Sequence, residues 1–154
     1  MRRMRDLIRI PVIDQNTEQR LGWVKDILFD EKNNTITGII MEKDSFLKSQ
    51  QEKIAREDII SFDKDSIAVE KLTEKNVGGI AWSEKIGAEV YSGEGEIKGT
   101  VVDIFVDNLV HNVLGYEISD GIFSDLVKGR EAVLKENILA ASQDVIVIEG
   151  GSTS

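Results

Sequence analysis

The chain has 154 residues, no Cys, one His, and 28 Asp and Glu against 19 Lys and Arg, for a net charge of −9. Such a length accommodates one medium domain or two small ones, and 41% apolar with 31% charged residues is the composition of a soluble globular protein. The missing Cys excludes disulfides, thiolate metal sites and cysteine nucleophiles, the single His111 excludes sites built from several histidines, and the acidic total opposes broad electrostatic binding of nucleic acid.

The N-terminus is basic at Arg2, Arg3 and Arg5, but Arg9 and Asp14 break the apolar stretch behind it, so no signal-peptide core follows. No uncharged apolar run approaches the roughly 20 residues of a membrane span, so a cytoplasmic protein is expected. Strands are expected over Val24–Phe29 and Thr35–Met41, rich in β-branched and aromatic residues and joined by the turn formers of Asp30–Asn34. Arg56–Ile60 suits one short helical turn, and Ser66–Glu70 a closing strand. Lys71–Ser83, broken by Asn76-Val-Gly-Gly79, reads as a linker. The same succession then recurs: strands at Val101–Val106 and Asn112–Ile118 around Asp107-Asn108, a turn signal at Asp120-Gly121, a helical turn at Lys135–Leu139, and a closing strand at Asp144–Glu149.

The recurrence is a repeat in residues as well as in pattern. Gly22–Asp30 aligns with Gly99–Asp107 at an offset of 77, with five of nine positions identical, and the offset also pairs Gly38 with Gly115 and Phe46 with Phe123. After a two-residue insertion, Arg56–Ile60 matches Lys135–Leu139 and Ile67–Glu70 matches Ile146–Glu149. The period is too long for a solenoid, so two small domains are expected, at 1–72 and 80–150. Val24–Phe29 is apolar on both faces, which demands cover on both sides. A unit this small finds the second cover in the other repeat or in another chain, so close packing of the repeats and homodimerisation are both expected. Charge has diverged between the copies: residues 1–75 carry a net −1 and residues 76–154 a net −8.

The pattern Leu21-Gly-Trp-Val-Lys-Asp-Ile27 followed by Thr37-Gly-Ile-Ile40, repeated as Ile97-Lys-Gly-Thr-Val-Val-Asp-Ile104 and Leu114-Gly-Tyr-Glu-Ile118, resembles the PRC-barrel family. Lys98 departs from that pattern, as does Pro11, whose place is taken by Gly87 or Ala88 in the second copy. The resemblance implies an all-β fold of two tandem small PRC-type barrels with short helical turns. Its known members include the cytoplasmic domain of the photosynthetic reaction-centre H subunit and the C-terminal domain of a ribosome small-subunit maturation factor. Their common theme is contact with other macromolecules, so neither a catalytic residue, a cofactor nor a metal is expected.

The repeated motif residues Gly22, Val24 and Asp26, with Gly99, Val101 and Asp103, belong to what the copies share, which is the fold. A buried Asp in a strand could move protons, but acceptance of backbone hydrogen bonds at a bulge is the reading favoured here. His111 falls in a turn, opposite Asn34 of the first copy, and is expected to be exposed. Asp30, Asp107 and Asp120 form no Asp-x-Asp-x-Asp-Gly calcium loop, and Gly93-Glu-Gly95 is a hairpin turn, not a phosphate cradle. Trp23 and Trp82 are expected between the barrels. Phe46 and Leu47, with Ile122 and Phe123 in the second copy, are the candidate partner contacts. The function expected is that of an adaptor or scaffold binding another protein through barrel loops or edges. An RNA-linked role in ribosome assembly, suggested by Arg2–Arg5, is the alternative, and small-ligand binding a third.

Overall fold

The computed structural model describes residues 1–44, 49–70, 76–120 and 131–149. The candidate contacts Phe46, Leu47, Ile122 and Phe123, and the Gly121 turn signal, lie outside the described residues. The first repeat contributes strands β2 (Pro11–Asp14), β3 (Arg20–Asp30), β4 (Thr35–Lys43), β5 (Gln51–Ala55), β6 (Ile59–Phe62) and β7 (Ile67–Val69). The second contributes β9 (Glu89–Ser92), β10 (Ile97–Val106), β11 (Val113–Ser119), β12 (Glu131–Leu134), β13 (Ile138–Ala141) and β14 (Val145–Ile148). The strands run β5-β4-β3-β2-β7-β6 in one curled sheet and β12-β11-β10-β9-β14-β13 in the other, with one parallel pair in each, β2–β7 and β9–β14. A 3-10 turn joins β5 to β6 at Arg56–Asp58 and β12 to β13 at Lys135–Asn137. The fold is therefore two tandem β-barrel-like units with little helix.

Each sheet has a seventh strand, and it comes from the other repeat. β1 (Arg2–Arg3) pairs antiparallel with β10, and β8 (Ile80–Ala81) pairs antiparallel with β3. Behind β1 a 3-10 turn covers Met4–Leu7, and behind β8 a short helix, α1, covers Trp82–Lys85. The exchanged segments match at an offset of 78: Arg3 lies opposite Phe105 as Ala81 lies opposite Leu28. The expected linker therefore ends earlier than its composition suggests, since Ile80–Ser83 is strand and helical turn bound to the first repeat. Under the same offset Pro11 corresponds to Glu89, and Gly87 to Arg9, both with positive φ, of 93° and 74°. That corrects the pairing of Pro11 with Gly87 or Ala88.

A pseudo-two-fold relation follows. At its centre Thr35 bridges Asn112, its own repeat-mate, with Ile36 N donating to His111 O at 2.9 Å and Val113 N to Asn34 O at 2.8 Å. One core cluster runs through both repeats, from Met4 and Leu7 to Ile146 and Ile148. The two-faced apolar strand receives its expected second cover: Asp26, Ile27, Leu28 and Phe29 are all buried, and Leu28 packs with Ala55, Val77 and Ala81 in a separate cluster. The repeated glycines have a steric cause. A Cβ on Gly22 would lie 2.1 Å from Glu42 O, and one on Gly99 2.3 Å from Ser119 O.

Candidate functional site

Asp26 and Asp103 sit just after matching irregularities in register, between Val24 and Asp26 and between Val101 and Asp103. There each carboxylate turns to the exchanged segment of the other repeat. Asp26 accepts from Ser83 N at 3.1 Å and from the Ser83 hydroxyl, besides Ile27 N at 3.0 Å. Asp103, wholly buried, accepts from Arg5 N at 3.2 Å, Ile104 N at 2.8 Å and Trp82 Nε1 at 3.1 Å. Ser83 and Arg5 correspond at the offset of 78, so the repeated Asp caps the first turn of the exchanged segment in both halves. Val24 and Val101 are buried core beside them. In both copies the carboxylate leaves the bulge toward the exchanged segment across the dyad.

Two cations fasten the exchanged segments from non-equivalent positions. Arg2 donates to Phe62 O at 2.6 Å, Asp63 O at 3.0 Å and Asn108 O at 3.3 Å. On the other side the fully buried Lys85, which stands where the first copy has Leu7, donates to the Glu31 carboxylate and to Ser142 O at 2.6 Å. Its Nζ also lies 5.6 Å from the centre of the Tyr116 ring. Burial, with the nearby Glu31 charge second, pushes the Tyr116 phenol well above its ordinary range. Arg3 pairs with Glu117 at 2.8 Å and Arg5 donates to Val102 O at 2.6 Å. The basic N-terminus behind the RNA-linked alternative is therefore engaged within the chain.

The dyad makes two seams, each between a 3-10 turn with its following strand in one repeat and the central hairpin turn of the other. The seams are filled differently. At the first, Arg56 donates from Nε to Val110 O and from Nη2 to Leu109 O, both at 2.8 Å, and from Nη1 to Ile59 O at 2.9 Å. Its guanidinium lies 4.9 Å from the centre of the buried Phe62 ring, and Val110 is fully buried with φ of 58°. His111 is exposed, with its ring Nε2 3.3 Å from Arg56 Nη2 and its main-chain N–H donating to Asp107 Oδ1 at 2.7 Å. Partial burial raises the Asp107 carboxyl, but hydrogen bonds from His111 and Asn112 outweigh it and hold the group below the usual carboxylate range.

At the second seam the corresponding residues are Lys135 for Arg56, Ala141 for Phe62 and Asn33 for Val110. All three are smaller or less able to fill the space, and a cleft of about 840 Å³ opens there. The repeat-one side is walled by Phe29, Asp30, Glu31 and Thr37, the repeat-two side by Lys135 and β13. Leu139, Ala140 and Ala141 of β13 are exposed, whereas Phe62 of β6 is buried. The Asn33 N–H holds the Asp30 carboxyl below the usual carboxylate range, so it stays ionised on the cleft wall. Lys135 is half-buried on the cleft wall, and its main-chain carbonyl accepts from the Ile138 N–H.

The sequence reading places Trp23 and Trp82 between the barrels. Trp82 packs on the shared core and binds Asp103, as expected. Trp23 is half-buried and lies outside the core clusters, in register with Pro11 on β2 and Glu42 on β4. Gly93–Gly95 turns β9 into β10, with Gly95 at φ of 87° and Gly95 N donating to Ser92 O at 3.0 Å.

Paired bulged strands, a shared sheet order and a duplicated Gly-x-Val-x-Asp motif define a class, and a family model of the PRC-barrel domain matches residues 1–77 and again 77–152. The chain belongs to the PRC-barrel family. It is similar to the protein of Bacillus subtilis (strain 168) named "Uncharacterized protein YrrD", with 28% identity over 145 residues, covering 91% of this chain and 83% of that protein. Among the described residues no helix is long and apolar enough to cross a membrane.

Proposed function

We propose that the protein is a non-enzymatic adaptor of the cytoplasm that binds a protein partner at the open seam between its two barrels. The observation that carries this reading is the asymmetry of the seams. Duplication starts from equal surfaces; here one is closed by Arg56 and Phe62, while the other keeps a concave opening beside an exposed strand. An opening flanked by β13, which ends the strand order of its sheet among the described residues, suits contact with a chain segment better than a closed reaction chamber. The interrepeat exchange supplies the second surface that a homodimer would otherwise have provided.

The test is to seal the cleft with the residues of the other seam. Full-length wild type and the K135R/A141F variant, each tagged, are cross-linked in cells and the captured proteins compared. The reading predicts partners captured by wild type and lost from the sealed variant. Identical capture by both would refute it.

A further inference from the structure

We infer that the open cleft receives an arginine side chain of a partner protein, as Arg56 fills the matching seam within the chain itself. This rests on the adaptor reading and gives the partner a chemistry. The first seam is a worked example of what the site type holds: a planar guanidinium sends three donors to three main-chain carbonyls and covers an aromatic ring. Of the residues that correspond to Val110, Leu109 and Ile59, namely Asn33, Lys32 and Ile138, Lys32 and Ile138 line the cleft.

Lys135 is a poor substitute for Arg56. An ammonium is a compact point charge on a flexible stem and cannot reach several divergent carbonyls as a five-donor fork can. Loss of the Phe62 ring at Ala141 leaves room for an apolar side chain next to the guanidinium. The hairpin turn at this seam is wound differently, left-handed at Asn34 where the other is left-handed at Val110, but it adds the carboxylate of Asp30 to the wall. Glu31 also lines the wall, although Lys85 neutralises it from behind. Lys32 and Lys135 are the opposing charges; Lys32 is exposed and Lys135 half-buried.

The test uses the full-length 15N-labelled chain and three capped dipeptides, acetyl-Phe-Arg-amide, acetyl-Phe-Lys-amide and acetyl-Phe-Glu-amide. Expected are saturable amide shifts confined to Lys32–Asn34 and Ile138–Ala141 with the arginine probe, with affinity in the millimolar range, about −4 kcal/mol. The lysine probe should bind at least about fivefold more weakly and the glutamate probe not measurably. K135A, which removes the competing ammonium without filling the cleft, should strengthen binding of the arginine probe. Absence of saturable shifts at roughly 10 mM arginine probe, equal or stronger response to the glutamate probe, or weaker binding to K135A each overturns the inference. If sealing removes captured partners while the arginine probe gives no shift, the arginine assignment falls and the adaptor reading stands. If sealing removes none, the adaptor reading falls whatever the probes do.

Discussion

Replacing Asp103 should cost far more than its exposure-free position in a strand would suggest, because its carboxylate joins the two repeats. In D103A three donors lose their acceptor: Arg5 N, Ile104 N and Trp82 Nε1. A buried donor left unpaired costs about 1–3 kcal/mol. Arg5 is exposed, so water can reach part of the site, and a total of about 3–5 kcal/mol is expected. That is a large share of the roughly 5–15 kcal/mol that holds a domain of this kind together. D103N keeps an acceptor at Oδ1 and puts an amide where Oδ2, which accepts no hydrogen bond, now lies 3.9 Å from Arg5 Nε. Its cost should be about 1–2 kcal/mol, the difference between charged and neutral acceptors. W82F, which deletes one donor, should cost about 1 kcal/mol. Urea unfolding followed by far-UV circular dichroism gives the midpoints and slopes. Because Arg5 belongs to the first repeat and Asp103 to the second, D103A should lower a single transition for the whole chain. A D103A unfolding free energy within about 1 kcal/mol of wild type, or a second repeat that melts separately while the first keeps its stability, would refute the reasoning.

The dyad yields further expectations. K85A strands Glu31 and should lose about 3 kcal/mol, whereas K85L/E31N, which installs the Leu7 and Asn108 of the other half, should stay within about 1 kcal/mol of wild type; equal losses in urea unfolding would count against the correspondence. R9G should gain up to about 1 kcal/mol, since the first copy holds a non-glycine residue where the second uses Gly87; a loss on melting would contradict this. G22A should destabilise by more than about 2 kcal/mol because its Cβ would meet a main-chain carbonyl, and a wild-type melting temperature would contradict the register. The Tyr116 phenol keeps its proton more tightly folded than unfolded. Its contribution to stability is therefore complete below the unfolded value of about pH 10 and is lost as pH rises beyond it. Absorbance at 295 nm should show Tyr91 ionising first and Tyr116 only as the chain unfolds.

Much of the architecture is written in short-range pattern. The β-branched runs of Val24–Phe29 and Val101–Val106 mark the central strands, and their two-faced apolarity already asks for cover from the other repeat. The repeated Asp is legible as an acceptor at a bulge. Its donors are not, because they lie on Arg5, Trp82 and Ser83, in segments of two to four residues with no periodicity. β1 is two arginines, and its strand character comes entirely from pairing with Phe105 and Val106. Lys85 reads as a solvated charge, and only its register with Leu7 betrays its burial. The cleft is the most instructive omission. Arg56 and Lys135 align in the repeat, yet the change looks conservative until Phe62 and Ala141, and Val110 and Asn33, are paired too. Only the fold reveals that those three positions meet at one seam.

The most direct test of the account is native-state hydrogen exchange on the full chain as urea is raised. If the exchanged segments Arg2–Leu7 and Ile80–Lys85 bind the repeats into one cooperative body, the core amides of β3, β4, β10 and β11 should converge on one opening free energy equal to that of global unfolding. A sub-global opening that exposes the whole second sheet while β3 and β4 stay protected would contradict it.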